Sequence, residues 1–139
     1  MPCEDRYCIK IKDNIYMYAV FDGHGGTAAC DIACDLLLSL IHWKIGIYKQ
    51  DKSNSINDYQ DCSPDPDTMN TIIQESFNEC DQHIYGSEYD RLFNITGTNT
   101  NIRASPRGNR SFRMKASFAG SCACVAIIID SYLYIINLG

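Results

Sequence analysis

Three adjacent residues, Asp22, Gly23 and His24, are well suited to chemistry. They end the apolar, β-prone run of residues 15–21 and are followed by two further glycines, so the pattern predicts a strand that ends at Asp22 and a turn after it. At such a junction the Asp22 carboxylate reaches solvent, Gly23 lets a ligand approach its backbone, and His24 offers an imidazole that can donate or accept a proton. The three residues could therefore hold a cation or transfer a proton.

A second acidic segment, Glu4 and Asp5, lies ahead of the first strand. Residues 7–12 alternate apolar and polar side chains, and the Asp-Asn pair at 13–14 favours a two-residue hairpin turn. Antiparallel pairing would return the start of the first strand to the end of the second, where Asp22 lies. Three converging carboxylates would repel one another, so we expect a divalent cation or a basic partner there.

The sequence around these residues resembles a known family. Residues 19–26 read Ala-Val-Phe-Asp-Gly-His-Gly-Gly between an apolar strand and a helix that begins with small residues. In that context the phrase resembles the signature of the metal-dependent serine/threonine protein phosphatases, the type 2C or PPM family. The Glu-Asp-Arg of residues 4–6 is similar to the acidic motif of that catalytic domain, and residues 120–129 resemble its Gly-Ser-Thr-Ala strand, with Cys122 in place of the usual threonine.

The resemblance implies a reaction, the hydrolysis of phosphoserine or phosphothreonine in a phosphoprotein substrate at a centre of two Mn²⁺ or Mg²⁺ ions. In the family pattern Asp22 would bridge the two metals and Gly23 would offer its carbonyl to one of them. Glu4 would hold a metal-bound water, and Asp5 would support the site. His24 would be the general acid that protonates the departing alkoxide.

The resemblance covers nearly all of the 139 residues but implies only about the first half of a catalytic domain. The implied fold is a truncated part of a β-sandwich flanked by helices. The family's second half supplies two further metal-binding aspartates, so we expect the isolated chain to bind one metal weakly at best and to show no measurable phosphatase activity.

Other interpretations of the same residues stay open. Asp22 is also a common turn residue, His24 could be an exposed loop histidine, and Glu4 and Asp5 could be surface acids near a frayed terminus. At the level of function, the alternatives are a non-catalytic regulatory or pseudophosphatase fragment and an unrelated metal-binding hydrolase built on the same Asp-Gly-His turn.

The remaining periodicities predict the elements that would position these residues. Apolar spacing of three and four predicts helices over residues 27–43 and 68–85. A buried strand is expected over residues 120–129, and residues 132–137 read as its hairpin partner. The order ββααββ indicates an α+β fold in which a mostly antiparallel sheet packs one apolar face on both helices.

We expect one domain, residues 1–139, with two irregular segments. Residues 46–67 and 86–113 are polar and lack a clear period, which predicts flexible insertions. Asp67 or Thr68 would cap the second helix.

Composition excludes several classes of protein. The net charge of −5 and the scattered basic residues disfavour nucleic acid and anionic membranes as partners. No run approaches the roughly 18 to 20 apolar residues of a membrane span, and the first residues do not resemble a signal peptide. We therefore expect an intracellular protein, cytoplasmic or nuclear, and the sequence leaves its oligomeric state open.

The chain has eight cysteines, which the intracellular setting predicts to be free thiols. Their spacing contains no Cys-x-x-Cys and no zinc signature. Cys30 and Cys34 would share a helix face, Cys122 and Cys124 would alternate on a strand, and all four are expected to be small core residues.

Overall fold

The computed structural model describes residues 3–55, 63–93 and 119–139, which form an α+β fold. The elements, in chain order, are β1 (Arg6–Lys12), β2 (Ile15–His24), α1 (Ala28–Ser55), α2 (Pro66–Phe93), β3 (Gly120–Ile129) and β4 (Tyr132–Leu138). All four strands form one antiparallel sheet in the order β1-β2-β3-β4. The predicted element order and fold class are confirmed at this level.

Two tight hairpins set the sheet's register. Asp13 and Asn14 both have positive φ angles, 53° and 59°, which is the conformation that an Asx-rich type I′ turn requires. The turn after β3 begins with Asp130 at a φ of 52°. Both hairpins lie where the sequence predicted them. Because β2 also pairs with β3, the two hairpins join into a single sheet.

The core lies between the helices and one face of the sheet, which we call the inner face. Phe21 and Met17 of β2 and Leu37 and Ile41 of α1 are at most 1% exposed. Burying each such side chain contributes about 1.5–3 kcal/mol. On α2 the predicted apolar stripe is confirmed, and its buried members are Met69, Ile72, Ile73 and Cys80.

Strand β3 is buried on one face only, so the predicted buried strand is confirmed for its inner face and not for the opposite one. Cys122, Cys124 and Ile128 are exposed, whereas Val125 and Ile127 are buried. Both helices cover the same side of the sheet, which leaves the alternate β3 positions open. The prediction that Cys122 and Cys124 are core residues is corrected for the same reason.

Both helices are longer than predicted. α1 continues to Ser55, so the flexible insertion predicted over residues 46–67 was wrong for residues 46–55. Ile45, which is fully buried, and the partly buried Tyr48 extend the apolar stripe past Gly46. An exposed glycine costs a helix only about 1 kcal/mol, too little to end it here. Residues 56–62 lie outside the described ranges.

α2 begins at Pro66 rather than at residue 68, and its cap is Asp65 rather than Asp67 or Thr68. The Asp65 carboxylate accepts hydrogen bonds from the backbone N–H groups of Asp67, at 3.1 Å, and Thr68, at 3.0 Å. Proline suits the first helical position because that position has no intrahelical N–H partner to lose.

The carboxyl end of α2 extends to Phe93, so the flexible insertion predicted over residues 86–113 was wrong for residues 86–93. Gly86 had suggested a break, yet a single glycine does not end this helix. The remaining part of that prediction, residues 94–113, lies outside the described residues. Neither described helix has an apolar stretch long enough to cross a membrane.

Candidate functional site

The β1–β2 register brings the two acidic segments together at one end of the sheet. Arg6 pairs with Phe21, so one step beyond this pair Asp5 comes level with Asp22. The backbone N–H of Gly23 donates to Asp5 Oδ1 at 3.4 Å. The predicted proximity of these segments is therefore present in the fold.

Glu4 reaches further, to the turn that follows β2. Its Oε2 accepts a hydrogen bond of 3.1 Å from the backbone N–H of Gly26. Its backbone also passes so close to Gly23 that a Cβ added to Gly23 would lie 2.5 Å from the Glu4 carbonyl oxygen. Only glycine fits at position 23, and the reason is the approach of this chain's own acidic segment.

The strand-to-helix turn forms where the sequence predicted it, but β2 ends two residues later than expected. Gly23 and His24 still pair with Ser121 and Gly120 of β3, which supply backbone partners that the sequence of β2 alone does not reveal. The turn itself uses positive φ angles of 76° and 130° at its two glycines. α1 then starts with the Asp31 N–H bonded to the Thr27 carbonyl at 2.9 Å.

His24 is exposed and lies against the backbone of β3. A Cβ added to its strand partner Gly120 would lie 2.5 Å from His24 Nε2. The absence of a side chain at Gly120 therefore leaves the space that the imidazole ring occupies. This contact keeps the ring at the same end of the sheet as Asp22.

Arg6 holds the acidic segment in place, a role that sequence reasoning missed. Its Nε donates to Asp31 Oδ1 at 2.6 Å, and its Nη1 donates to the Asp5 carbonyl at 2.8 Å. The Thr27 hydroxyl and the Arg6 guanidinium lower the pKa of Asp31, and the bond to Asp31 raises that of Arg6. Two signals in the sequence could have indicated this pair: Asp31 is an acid in the first turn of a predicted helix, and Arg6 is an arginine that directly follows two acids.

A polar link below the turn was also missed. The Cys30 thiol donates to Ser121 Oγ at 3.2 Å, and the Ser121 hydroxyl donates to the Cys122 carbonyl at 2.7 Å. Burial is the main cause of the raised pKa of Cys30, so its thiol stays protonated. This link joins the first turn of α1 to β3. Both elements border the end of the sheet where Glu4, Asp5 and Asp22 lie, which we call the acidic end.

The acids are adjacent but do not form a ready metal-ligand set. Across residues 3–55, 63–93 and 119–139, no three Asp, Glu, His or Cys side chains are grouped so that they could hold one ion. Glu4 and Asp5 instead accept hydrogen bonds from the Gly26 and Gly23 amides. Asp22 is exposed and borders a shallow depression of about 350 Å³ between β2, β3 and β4.

Comparison with known proteins gave no family assignment. No protein-family model matches the chain, and no curated protein matches it. The functional argument therefore depends on the chain's own residues and on their geometry.

Proposed function

We propose that the chain contributes the first acidic segments of a type 2C, PPM-like protein phosphatase site, which hydrolyses phosphoserine and phosphothreonine with Mn²⁺ or Mg²⁺. The observation that carries the proposal is the pair of hydrogen bonds from the Gly23 and Gly26 amides to Asp5 and Glu4. These bonds hold both acidic motifs of the resemblance at one end of the sheet. The bonded residues are far apart along the chain: 18 residues separate Asp5 from Gly23, and 22 separate Glu4 from Gly26.

The donor set fits a hard divalent cation in its chemistry. Carboxylates and a backbone carbonyl are the oxygen ligands that Mg²⁺ and Mn²⁺ prefer. Asp22 and the Gly23 carbonyl would hold the metal, and Glu4 and Asp5 would exchange an amide partner for the ion or its water. A bound divalent ion supplies positive charge that activates water and neutralises the phosphoryl oxygens.

The chain's own residues would do the rest. The imidazole of His24, held over Gly120, would give its proton to the oxygen of the departing serine or threonine. The glycine at position 23 lets the Glu4 backbone approach the end of β2 that carries Asp22 and His24. Arg6 would not contact the substrate. It would position Asp5 by donating a hydrogen bond to the Asp5 carbonyl oxygen.

The finer fold assignment and the cellular setting belong to the same proposal. One sheet with two helices on its inner face would be part of a β-sandwich flanked by helices. Free thiols at the described cysteines suit a reducing compartment, the cytoplasm or nucleus. A phosphoprotein is the proposed substrate.

One finding favours the alternative of a non-catalytic regulatory fragment. In the described part of the chain Glu4 and Asp5 satisfy backbone amides, and no three potential ligands surround a common point. This arrangement is expected of a fragment in which the acids only accept hydrogen bonds from the backbone and stabilise the fold. Metal binding distinguishes the two proposals.

Calorimetric titration with Mn²⁺ tests the proposed function. We expect the chain to bind one ion weakly, Asp22→Asn to abolish the heat of binding, and Asp81→Asn, an exposed acid on α2, to leave it unchanged. Circular dichroism checks that all three proteins are equally folded. Binding that is the same in Asp22→Asn and the unmodified chain would contradict the metal-site proposal and favour the regulatory one.

A further inference from the structure

Two cysteines on different elements of the fold, Cys8 of β1 and Cys34 of α1, lie against each other, and we call them the thiol pair. The Cys34 thiol donates a hydrogen bond of 3.4 Å to the carbonyl of Tyr7, which is 27 residues earlier in the chain. That carbonyl belongs to the peptide bond that leads into Cys8. The Cys8 and Cys34 thiols also form a hydrogen bond with each other. Both side chains are half-buried and pack against the core.

The thiol pair lies in the middle of a seam that joins β1 to α1. On one side of the pair, Arg6 Nε donates to Asp31 Oδ1 at 2.6 Å. On the other side, Lys10 Nζ donates to Ser39 Oγ at 3.1 Å. The β1 members of these contacts are alternate residues of one strand, and the α1 members follow one another along one helix. Regular elements on both sides therefore hold the two thiols together.

This seam supports a strand at the edge of the sheet. β1 is the first of the four strands in the sheet order, so β2 is its neighbour on one side and no described strand lies on the other. The ion pair of the seam is partly exposed, with the Arg6 side chain 34% and the Asp31 side chain 48% accessible. Exposed ion pairs contribute little to stability, so a covalent bond within the seam would fix β1 more firmly than these contacts do.

The other cysteines of the described ranges are placed differently. Cys122 and Cys124 are exposed and two residues apart on β3, where the strand geometry separates them by about 6.6 Å. The Cβ atoms of a disulfide lie only about 3.8 Å apart, so this strand cannot bridge them without distortion. Cys30 is buried, and its thiol donates to Ser121 of β3. Cys80 is buried on α2.

We propose that the thiol pair is a redox site, at which a peroxide converts the Cys8 and Cys34 thiols into a disulfide that joins β1 to α1. In the first step the Cys34 sulfur attacks one peroxide oxygen and the O–O bond breaks, which leaves a sulfenic acid on Cys34 and releases water or an alcohol. In the second step the Cys8 sulfur attacks the Cys34 sulfur, and the hydroxyl group leaves with the Cys8 proton as water. The two thiols lose two electrons in total, and the peroxide gains them. A thiol reductant reverses the bond, as expected of a transient disulfide in a reducing compartment.

The environment of Cys8 decides the order of the two steps. Burial, together with the contact with Cys34, raises the pKa of Cys8 to about 12. Its thiol therefore stays protonated near neutral pH, whereas the thiolate is the form that attacks a peroxide. Cys34 is thus the thiol that reacts first, and Cys8 is the thiol that resolves the sulfenic acid. The redox site does not depend on the proposed phosphatase activity, since neither cysteine belongs to the proposed metal ligands.

Peptide mapping by mass spectrometry tests the proposal on the full chain. We expect hydrogen peroxide, added in an equimolar amount to the reduced protein at neutral pH, to give a peptide cross-linked between Cys8 and Cys34. The melting temperature should rise by at least about 5 °C, because the disulfide closes a loop of the unfolded chain, and should return to its initial value with dithiothreitol. A cross-link that maps to another pair of cysteines, or a chain in which both thiols stay reduced, overturns the proposal.

Substitution of one thiol gives a matched comparison. Cys34→Ser should abolish both the cross-link and the peroxide-induced rise in melting temperature. Cys124→Ser removes an exposed cysteine outside the pair and should retain both. Circular dichroism of the reduced proteins confirms that each variant is folded. A rise in melting temperature that is equal in Cys34→Ser and in the parent chain would contradict the assignment to this pair.

Cys8→Ser separates the two chemical steps. Without the resolving thiol, the sulfenic acid on Cys34 should persist after peroxide treatment, and a cyclic 1,3-dione should label it. In the parent chain the same label should be at least fivefold weaker, because Cys8 removes the sulfenic acid by forming the disulfide. Equal labelling of Cys34 in Cys8→Ser and in the parent chain would show that Cys8 is not its partner and would overturn the proposal.

Discussion

At the residue scale, Gly23 has the most constrained position of the acidic end. The Glu4 carbonyl oxygen and the Cys30 sulfur occupy the space where a side chain at position 23 would begin, at 2.5 and 2.7 Å from an added Cβ. The backbone oxygen cannot rotate away as a flexible side chain would. Any residue other than glycine therefore has to push the acidic segment off β2.

We accordingly predict that Gly23→Ala lowers the melting temperature and removes Mn²⁺ binding, because Glu4 and Asp5 lose their register with the turn. Gly46→Ala is the matched control, since an added Cβ at Gly46 meets no atom within 4 Å. The control should gain about 0.5–1 kcal/mol of helix stability. Thermal unfolding and calorimetry measure both effects, and a Gly23→Ala protein as stable and as metal-competent as its parent would contradict this reading.

At the element scale, both helices depend on carboxylates at their amino-terminal ends. Asp31 in the first turn of α1 bonds to Arg6 of β1, and Asp65 caps α2. The bonds to Thr27 and Arg6 lower the pKa of Asp31, and the bonds to Thr68 lower that of Asp65. Each acid thus binds a proton less readily in the folded chain than in the unfolded one.

The sign of the pH dependence follows from these lowered values. Stabilisation by Asp31 and Asp65 is present above their unfolded pKa of about 4 and is lost as the pH falls through the lower folded values. We predict that the Asp31→Asn/Asp65→Asn double variant is less stable than the parent chain at neutral pH. Below about pH 4 its stability should fall less steeply with decreasing pH than that of the parent chain. Asp35→Asn/Asp81→Asn, on exposed positions of the same helices, is the control. Urea unfolding midpoints between about pH 2 and pH 7 give the comparison. Equal dependence of the midpoint on pH in the double variant and in the control would argue against a stabilising role for Asp31 and Asp65.

The elements also show what periodicity reveals and what it misses. The alternation of β1 and the Asp13-Asn14 pair were sufficient to predict the first hairpin, because a type I′ turn has a strong local signal. The helix ends were not predictable from Gly46 and Gly86, since tertiary packing of residues such as Ile45 outweighs the local cost of glycine. The extension of β2 to His24 depends on β3, about a hundred residues away.

At the scale of the whole molecule, the sequence predicted which acids would lie close together but not which groups would donate hydrogen bonds to them. Antiparallel pairing was enough to place Asp5 beside Asp22. The amide bonds of Glu4 and Asp5, and the link from Arg6 to Asp31, depend on the turn and on α1 together. The one-sided burial of β3 was not predicted, because an apolar run reads the same whether one or both of its faces are buried.

The central claim is that a divalent ion binds where the two acidic segments meet, and amide resonances in the presence of Mn²⁺ test it most directly. Substoichiometric Mn²⁺ added to ¹⁵N-labelled chain should broaden the Gly23 and Gly26 amide signals first, because these amides contact Asp5 and Glu4. Signals from α2 should keep their intensity, and Asp22→Asn should abolish the broadening. Broadening that is uniform over the chain, or that persists in Asp22→Asn, would contradict the claim.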